Sequence, residues 1–216
     1  MTESAITFRP YRPTDGASLI SIINEAFGVD QRFTDPLTID RFLELYLQSS
    51  LVRATWTQVA LLNDEPVGLI VGSVPKEPRV DGQPLRVIQM LSHVLQLVPS
   101  AFRNRRVLRD WFGEQLAYAQ ALRNAKKQHA VSDTELVLFV VDEHARGTGI
   151  GTKLYDNFKN YLRSLNRSGF FLYTDSDCTW QFYEAKGMRR AADVRRKTLL
   201  DEQPRTIHNY VYIGEA

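Results

Sequence analysis

The spacing of apolar positions changes along the chain between strand-like runs and helical periods, and this alternation predicts a mixed α/β fold. Short apolar, β-prone runs predict strands at 6–9, 56–62, 67–74, 135–141, 170–174, 189–197 and 206–213. Apolar residues three and four apart predict helices at about 15–27, 38–48, 86–98, 105–128 and 150–165. A further short helix, with Trp180, Phe182 and Tyr183, is expected to end at Gly187.

Local signals set some of the boundaries between these elements. The turn at 63–66, between the second and third apolar runs, predicts a hairpin. Thr14 or Asp15 is expected to cap the first helix, because their side chains accept hydrogen bonds from the first N–H groups of a helix. Pro99 lacks an N–H group and is therefore expected to end the helix over 86–98 or to start the next one.

The connection between the third and fourth predicted strands is long. Residues 75–85 are rich in proline and predict a loop. Two amphipathic helices follow, so 75–134 is a predicted helical insertion. One face of the second helix, 105–128, carries Phe112, Leu116, Ala119 and Leu122.

The composition restricts the class of protein. With 216 residues, 44% of them apolar, the chain suits one packed domain over 1–216. A net charge of +2 argues against a dedicated nucleic-acid binder. The single cysteine, Cys178, allows no disulfide within the chain and suits a reducing cytosol. No signal peptide and no membrane-spanning apolar run are present, so a cytoplasmic protein without a membrane partner is expected.

A glycine-rich turn joins the strand at 135–141 to the next helix, and it reads Arg146-Gly147-Thr148-Gly149-Ile150-Gly151-Thr152. Glycines let backbone N–H groups converge on an anion, and the helix adds the positive end of its dipole. Thr152 stands where a dinucleotide fingerprint needs glycine, and Lys153 comes too late for a P-loop. The turn therefore predicts a phosphate or pyrophosphate site of another kind, unless it is only a glycine-rich helix start.

Residues 138–151 resemble motif A of the GNAT superfamily of N-acetyltransferases, in which a strand runs into [R/Q]-x-x-G-x-G and a helix. Arg146, Gly149 and Gly151 match the motif in place, and Glu143 stands where proline is common. Residues 182–188 look like the family's F-Y-x-x-x-G-F element. The resemblance covers roughly 1–74 and 134–213 and leaves the helices between them outside the common pattern.

The resemblance implies acetyl-coenzyme A as cosubstrate and no metal. It implies a mixed, mostly antiparallel sheet flanked by helices, with splayed parallel strands. The helical insertion between strands 3 and 4 departs from the family, which usually joins those strands by a short turn. The pantetheine arm would lie beside Phe139, Val140 and Val141. The predicted pyrophosphate cradle consists of Arg146, Gly147, Thr148, Gly149, Ile150, Gly151 and Thr152. Ser176 stands where many members bind the cofactor through asparagine.

The resemblance also suggests the catalytic groups. A primary amine would attack the thioester directly, and Tyr183 matches the tyrosine that protonates the leaving thiolate. Since an alkylamine titrates near ~10.4, a base is needed, and Glu135 and Asp133 are candidates. The alternative interpretations are a core aromatic for Tyr183 and solvated carboxylates at a strand start for the two acids.

Several questions stay open from the sequence. The acceptor is expected to be a small-molecule or peptide amine, and the main alternative function is a non-catalytic acyl-CoA-binding or sensing module. The four histidines show no metal-ligand spacing, and Cys178 has no neighbouring histidine. The insertion helices are hypothesised to form a wall of the acceptor pocket, with Trp111 or Phe112 near the amine. A homodimer contact or simple packing would explain them equally well.

Overall fold

The computed structural model describes residues 5–33, 35–103, 105–198 and 205–216. The strands are β1 (Ile6–Arg9), β2 (Trp56–Leu62), β3 (Glu65–Ser73), β4 (Glu135–Val141), β5 (Gly169–Asp175), β6 (Arg189–Lys197) and β7 (Thr206–Glu215). The helices are α1 (Gly16–Phe27), α2 (Val29–Arg32), α3 (Pro36–Val52), α4 (Gln83–Arg103), α5 (Arg105–Gln128), α6 (Ile150–Ser164) and α7 (Gln181–Ala185). The predicted strands and the main helices are therefore confirmed, with shifted ends.

The seven strands form one sheet in the order β1-β2-β3-β4-β5-β7-β6. The pairs β1–β2, β2–β3, β5–β7 and β6–β7 are antiparallel. β4 and β5 are parallel and pair at Glu135 and Phe171. The mixed, mostly antiparallel α/β fold is thus confirmed, and so is the helical insertion between β3 and β4.

The chain divides into two compact units, one of residues 1–97 and 136–166 and the other of residues 98–135 and 167–216. In the first unit, α6 packs on β2 and β3 and buries Phe158 completely. The ring of Phe158 lies where Gly72 of β3 leaves room, since a Cβ built on Gly72 would come within 2.5 Å of the ring. The prediction of a single domain over 1–216 stays a prediction.

In the second unit, α5 packs across the β6–β7 end of the sheet through a row of small residues. Ala117, Ala121 and Ala125 are buried and contact the strands, which lets the helix backbone approach closely. The predicted face was only partly correct, because Leu122 packs against this cluster whereas Phe112 is 57% and Leu116 is 67% exposed. The helical period allowed either stripe, and the alanine stripe makes the tighter contact.

Helix α4 extends beyond its predicted ends. It starts at Gln83, inside the predicted loop, and continues through Pro99 to Arg103, so the predicted stop at Pro99 was wrong. A proline inside a helix removes one backbone hydrogen bond but can be tolerated when the turns on both sides persist.

Several large apolar side chains of α4 are exposed, among them Leu85, Ile88, Leu91 and Leu95. Among the described residues, no helix is both long enough and apolar enough to cross a membrane.

Two local predictions had different outcomes. Asn63 and Asp64 adopt positive φ angles of 51° and 68°, as the tight β2–β3 hairpin requires, so that turn is confirmed. Asp15 does not cap α1 through its side chain. Its carboxylate instead accepts hydrogen bonds from the Arg9 guanidinium and the Arg12 backbone N–H. The Asp15 carboxylate, which was expected to cap α1, thus forms an ion pair with Arg9 instead.

Candidate functional site

The loop after β4 is held by short-range hydrogen bonds. The Asp142 N–H donates to the Val67 carbonyl of β3, and the Asp142 carboxylate accepts from the His144 N–H at 2.9 Å. The Thr148 hydroxyl donates to the Ala145 carbonyl at 2.6 Å. These bonds fix the path of the chain from the strand to the start of α6.

The glycines of this loop have the backbone geometry that was expected of an anion cradle. Gly147 and Gly149 adopt positive φ angles of 78° and 86°, which side chains with a Cβ rarely adopt. No atom lies within 4 Å of a Cβ built on either glycine, so both face open space. Gly151 instead lies in the first turn of α6.

The N-terminus of α6 has no side-chain cap. Its N-cap residue is Gly149, whose carbonyl accepts a hydrogen bond from the Lys153 N–H. The N–H groups of the first turn are not used by the helix itself, and together with the helix dipole they favour an anion. The predicted cradle residues thus form one continuous loop and helix start.

Arg146 is held at the entrance to this loop. Its Nε donates to the Val141 carbonyl at 3.2 Å, and its Nη2 lies 3.4 Å from the Glu25 carboxylate of α1. Glu25 also accepts from the Glu143 N–H at 3.2 Å. Sequence reasoning missed Glu25, because it is 121 positions from Arg146 and belongs to no motif.

The strand before the loop and the helix after it are firmly packed. Ile150, Leu154 and Phe158 of α6 are buried. A Cβ on Gly68 of β3 would lie 3.2 Å from both the Leu154 side chain and the Val140 carbonyl, so β3 approaches β4 closely. Val140 is buried, whereas the predicted pantetheine contacts Phe139 and Val141 are half-buried. The elements on both sides of the cradle are therefore closely packed.

In the second unit, Tyr183 lies on the short helix α7 and is half-buried. None of the residues of α7 is buried, so the helix depends on side-chain contacts with its surroundings. The Tyr183 ring lies 6.0 Å from that of Tyr212 of β7, measured between ring centroids. Tyr183 therefore packs on the face of the sheet to which the Tyr212 side chain points.

A triangle of hydrogen bonds ties α7 to the sheet. Glu184 of α7 accepts from the Tyr212 hydroxyl at 2.7 Å and from Arg190 of β6 at 2.8 Å. Arg190 also donates from Nε to the Tyr212 hydroxyl at 2.9 Å. Burial and the hydrogen bond to Glu184 raise the pKa of Tyr212 to about 12, so its hydroxyl keeps its proton at neutral pH.

The Arg190 guanidinium is enclosed by aromatic rings. It lies 4.7 Å from the ring centre of Trp180 and 4.1 Å from that of Tyr210. A planar guanidinium stacks on such rings by cation–π attraction. Because Trp180 is the N-cap residue of α7 and Glu184 is next to its last residue, Arg190 contacts both ends of the short helix that carries Tyr183.

Ser176 continues the pairing of β5 with β7 beyond the end of the strand. Its N–H donates to the His208 carbonyl at 2.9 Å, and its hydroxyl accepts from the His208 N–H at 3.2 Å. The His208 ring in turn contacts Asp193 of β6, with Nδ1 2.9 Å from each carboxylate oxygen. Sequence reasoning left His208 unassigned, and no local spacing links it to Asp193.

The comparisons with known proteins concern the sequence family and the fold. Residues 96–188 match the sequence model of the acetyltransferase (GNAT) family. The chain has the GNAT acetyltransferase fold, and residues 96–188 carry the family's sequence pattern. No curated protein matches the chain in sequence. The GNAT match begins inside α4 and includes α5, although the sequence resemblance had left both helices outside the common pattern.

Solved structures with low sequence identity share this GNAT fold. An N-acetyltransferase from Staphylococcus aureus Mu50 is 12% identical with a TM-score of 0.54, over 98% of this chain and 99% of that one. The ribosomal-protein-S18-alanine N-acetyltransferase from Escherichia coli is 12% identical with a TM-score of 0.52, over 98% and 94%. The Salmonella typhimurium protein yncA, solved with its cofactor acetyl-CoA, is 14% identical with a TM-score of 0.53, over the same shares.

The remaining predicted site residues lie at the ends of β4 or next to them. Glu135 is the first residue of β4 and Val141 the last, while Asp133 is exposed just before the strand.

Burial, together with the Asp175 carboxylate, raises the pKa of the Cys178 thiol well above its ordinary value, which suits an inert thiol. Among the described residues, no group of three or more His, Cys, Asp or Glu side chains is placed to hold a metal ion.

Proposed function

We propose that the protein transfers the acetyl group of acetyl-coenzyme A to a primary amine. The observation that carries the proposal is the loop from Arg146 to Thr152, which has two left-handed glycines and an uncapped helix N-terminus directly after β4. This arrangement suits a pyrophosphate. It lies within the segment that matches the GNAT family, whose members include N-acetyltransferases.

The residues present fit coenzyme A. The pyrophosphate would accept hydrogen bonds from the N–H groups at the start of α6, next to the Arg146 guanidinium. The open space at Gly147 and Gly149 would admit its oxygens. Phe139 to Val141 would lie along the pantetheine arm, and the Ser176 hydroxyl can still donate one hydrogen bond. Acetyl-coenzyme A supplies an activated thioester, so no metal is required.

The proposed chemistry needs an acid and a base. Tyr183 would protonate the leaving thiolate, because a phenol with an ordinary pKa of about 10 is neutral before the reaction. Glu135 is the base that the sequence suggested, and this role stays a prediction. The acceptor would be a small-molecule or peptide amine. The single cysteine suggests that the reaction takes place in a reducing cytosol.

The cradle is tested by isothermal titration of acetyl-coenzyme A. We expect Gly149→Asp to weaken binding by at least about 10²-fold, because it adds a side chain and a negative charge where the backbone should meet phosphate. Gly82→Asp is a matched control, since Gly82 has nearly the same φ angle, 83°, in a loop outside the site. Equal affinity in Gly149→Asp and the parent would place coenzyme A elsewhere.

Thiol release with a panel of amines tests catalysis. We expect Tyr183→Phe to lower kcat by about 10²-fold, the low end for a lost general acid, with an unchanged Kd for acetyl-coenzyme A. Tyr161→Phe on α6 should keep the parent kcat. A parent protein that binds acetyl-coenzyme A but releases no thiol with any amine would support the alternative, a non-catalytic acyl-CoA-binding module.

A further inference from the structure

A carboxylate from outside the cradle loop contacts the loop at two points. Glu25, in the last turn of α1, accepts from the Glu143 N–H at 3.2 Å and lies 3.4 Å from Arg146 Nη2. Helix α1 and the loop belong to the same compact unit. Within the part of the chain that the structure describes, Glu25 is the one carboxylate recorded in an ion pair with Arg146. Arg146 thus holds an anionic side chain of the protein itself.

The stability of α1 does not explain a carboxylate at position 25. The helix covers Gly16–Phe27, and its last turn carries the negative end of the helix dipole, which disfavours an acidic side chain. The second contact of Glu25 depends on a residue particular to this chain. Glu143 stands where the GNAT pattern commonly has proline, and a proline has no N–H group to donate. The contact between α1 and the loop is therefore a feature of this sequence.

The ion pair between Glu25 and Arg146 is weak enough to be exchanged for another anion. The side chains are 34% and 49% exposed, so water and salt screen their attraction. Phosphate oxygens accept stronger, charge-assisted hydrogen bonds from a guanidinium group. Arg146 Nε is bonded separately to the Val141 carbonyl at 3.2 Å. The guanidinium therefore keeps one anchor at the loop entrance when Nη2 changes its partner.

We propose that Glu25 is an internal competitor for Arg146 that lowers the affinity of the cradle for coenzyme A. This inference rests on the proposed function, because it concerns the pyrophosphate of that cosubstrate. Before binding, the Glu25 carboxylate neutralises part of the Arg146 charge. After binding, it remains a negative charge next to the arginine that is proposed to contact the pyrophosphate, and like charges repel each other. Glu25 thus limits how tightly the product coenzyme A is held, which favours its release.

Isothermal titration of coenzyme A into the parent and into Glu25→Gln tests the proposal. Glutamine removes the charge, and its side-chain carbonyl can still accept a hydrogen bond from the Glu143 N–H. In about 0.1 M sodium chloride, we expect Glu25→Gln to bind coenzyme A about three- to tenfold more tightly than the parent. A residue that only supported the loop would instead give weaker or equal binding when it is changed.

Salt and a matched variant separate the effect of charge from a change in the loop. Raising the salt to about 1 M shortens the Debye length from about 10 Å to about 3 Å, so the gain in Glu25→Gln should fall below about twofold. Glu77→Gln makes the same change of charge at a distant position. Glu77 follows the end of β3 at Ser73, whereas the cradle loop is bonded to Val67 near the start of that strand. Glu77→Gln should bind like the parent at both salt concentrations.

Three results would overturn the inference. The first is equal or weaker binding of coenzyme A in Glu25→Gln at low salt. The second is a gain of the same size at high salt, and the third is an equal gain in Glu77→Gln. In all three cases the parent still binds coenzyme A, so the proposed function stands. A parent that binds no coenzyme A would contradict the proposed function, and this inference would fail with it.

Discussion

At the residue scale, Arg190 connects the sheet to the helix that carries the proposed acid. It is stacked between Trp180 and Tyr210 and bonded to Glu184 and Tyr212. A single, partly exposed ion pair contributes little to stability. Arg190, however, combines hydrogen bonds with stacking on two rings, and these contacts together restrict both ends of α7. Arg190 is therefore expected to act as a positioning residue for Tyr183.

The substitution Arg190→Lys tests this role. Lysine keeps the charge but loses the planar stacking and the second hydrogen bond. We expect kcat to fall about tenfold, or ~1.4 kcal/mol in barrier height, while the Kd of acetyl-coenzyme A stays at the parent value. Arg189→Lys, at the exposed neighbouring position, should leave both constants unchanged. A parent-like kcat in Arg190→Lys would show that α7 is held by its other contacts.

At the element scale, two glycines show how packing decides the effect of the same substitution. Gly72 lies in β3 opposite the fully buried Phe158, with 2.5 Å between a built Cβ and the ring. Gly113 lies inside α5, and no atom lies within 4 Å of a built Cβ. Position 72 therefore requires a residue without a side chain. At position 113, glycine only lowers the helix propensity relative to alanine.

Gly72→Ala and Gly113→Ala should therefore change stability in opposite directions. We expect Gly72→Ala to lower the free energy of unfolding by about 1–3 kcal/mol, because the Phe158 ring must move in a filled core. Gly113→Ala should raise it by about 0.5–1 kcal/mol. Urea denaturation followed by circular dichroism measures both. A stabilised Gly72→Ala variant would contradict the packing of α6 on β3.

At the scale of the whole molecule, both helices of the insertion expose large apolar side chains. In the first unit, α4 exposes Ile88 and Leu95, and in the second, α5 exposes Phe112 and Leu116. Large exposed apolar patches on soluble proteins commonly bind a partner. The acceptor pocket and the homodimer contact are both proposals for these helices, and they differ in what a substitution would change.

We expect the parent to sediment as a homodimer, and Phe112→Ala and Leu116→Ala to shift it towards the monomer. The exposed Gln115→Ala should behave like the parent. Trp111→Ala is assayed beside them for its effect on the acceptor KM. If Trp111→Ala and Phe112→Ala raise that KM while the sedimentation is unchanged, the insertion serves the acceptor pocket and the dimer proposal is wrong.

The sequence by itself determined the features that depend on local chain physics. Strand and helix periods predicted the order of the main elements, and the glycine spacing at 146–151 predicted a turn whose left-handed residues the structure shows at Gly147 and Gly149. The resemblance to the GNAT family rested on Arg146, Gly149 and Gly151 in motif A and on residues 182–188. These features could be inferred because each involves residues close together along the chain.

Only the tertiary structure decided which apolar stripe of α5 is buried. The stripe that contains Phe112 and the stripe that contains Ala117 both have helical spacing, and close packing against the strands buries the alanines. It also brought Glu25 to Arg146, and Asp193 to His208 across the β6–β7 pair. A hydrogen bond between residues far apart in sequence leaves no local periodicity. Such pairs arise from strand register and helix placement, which depend on the packing of the chain as a whole.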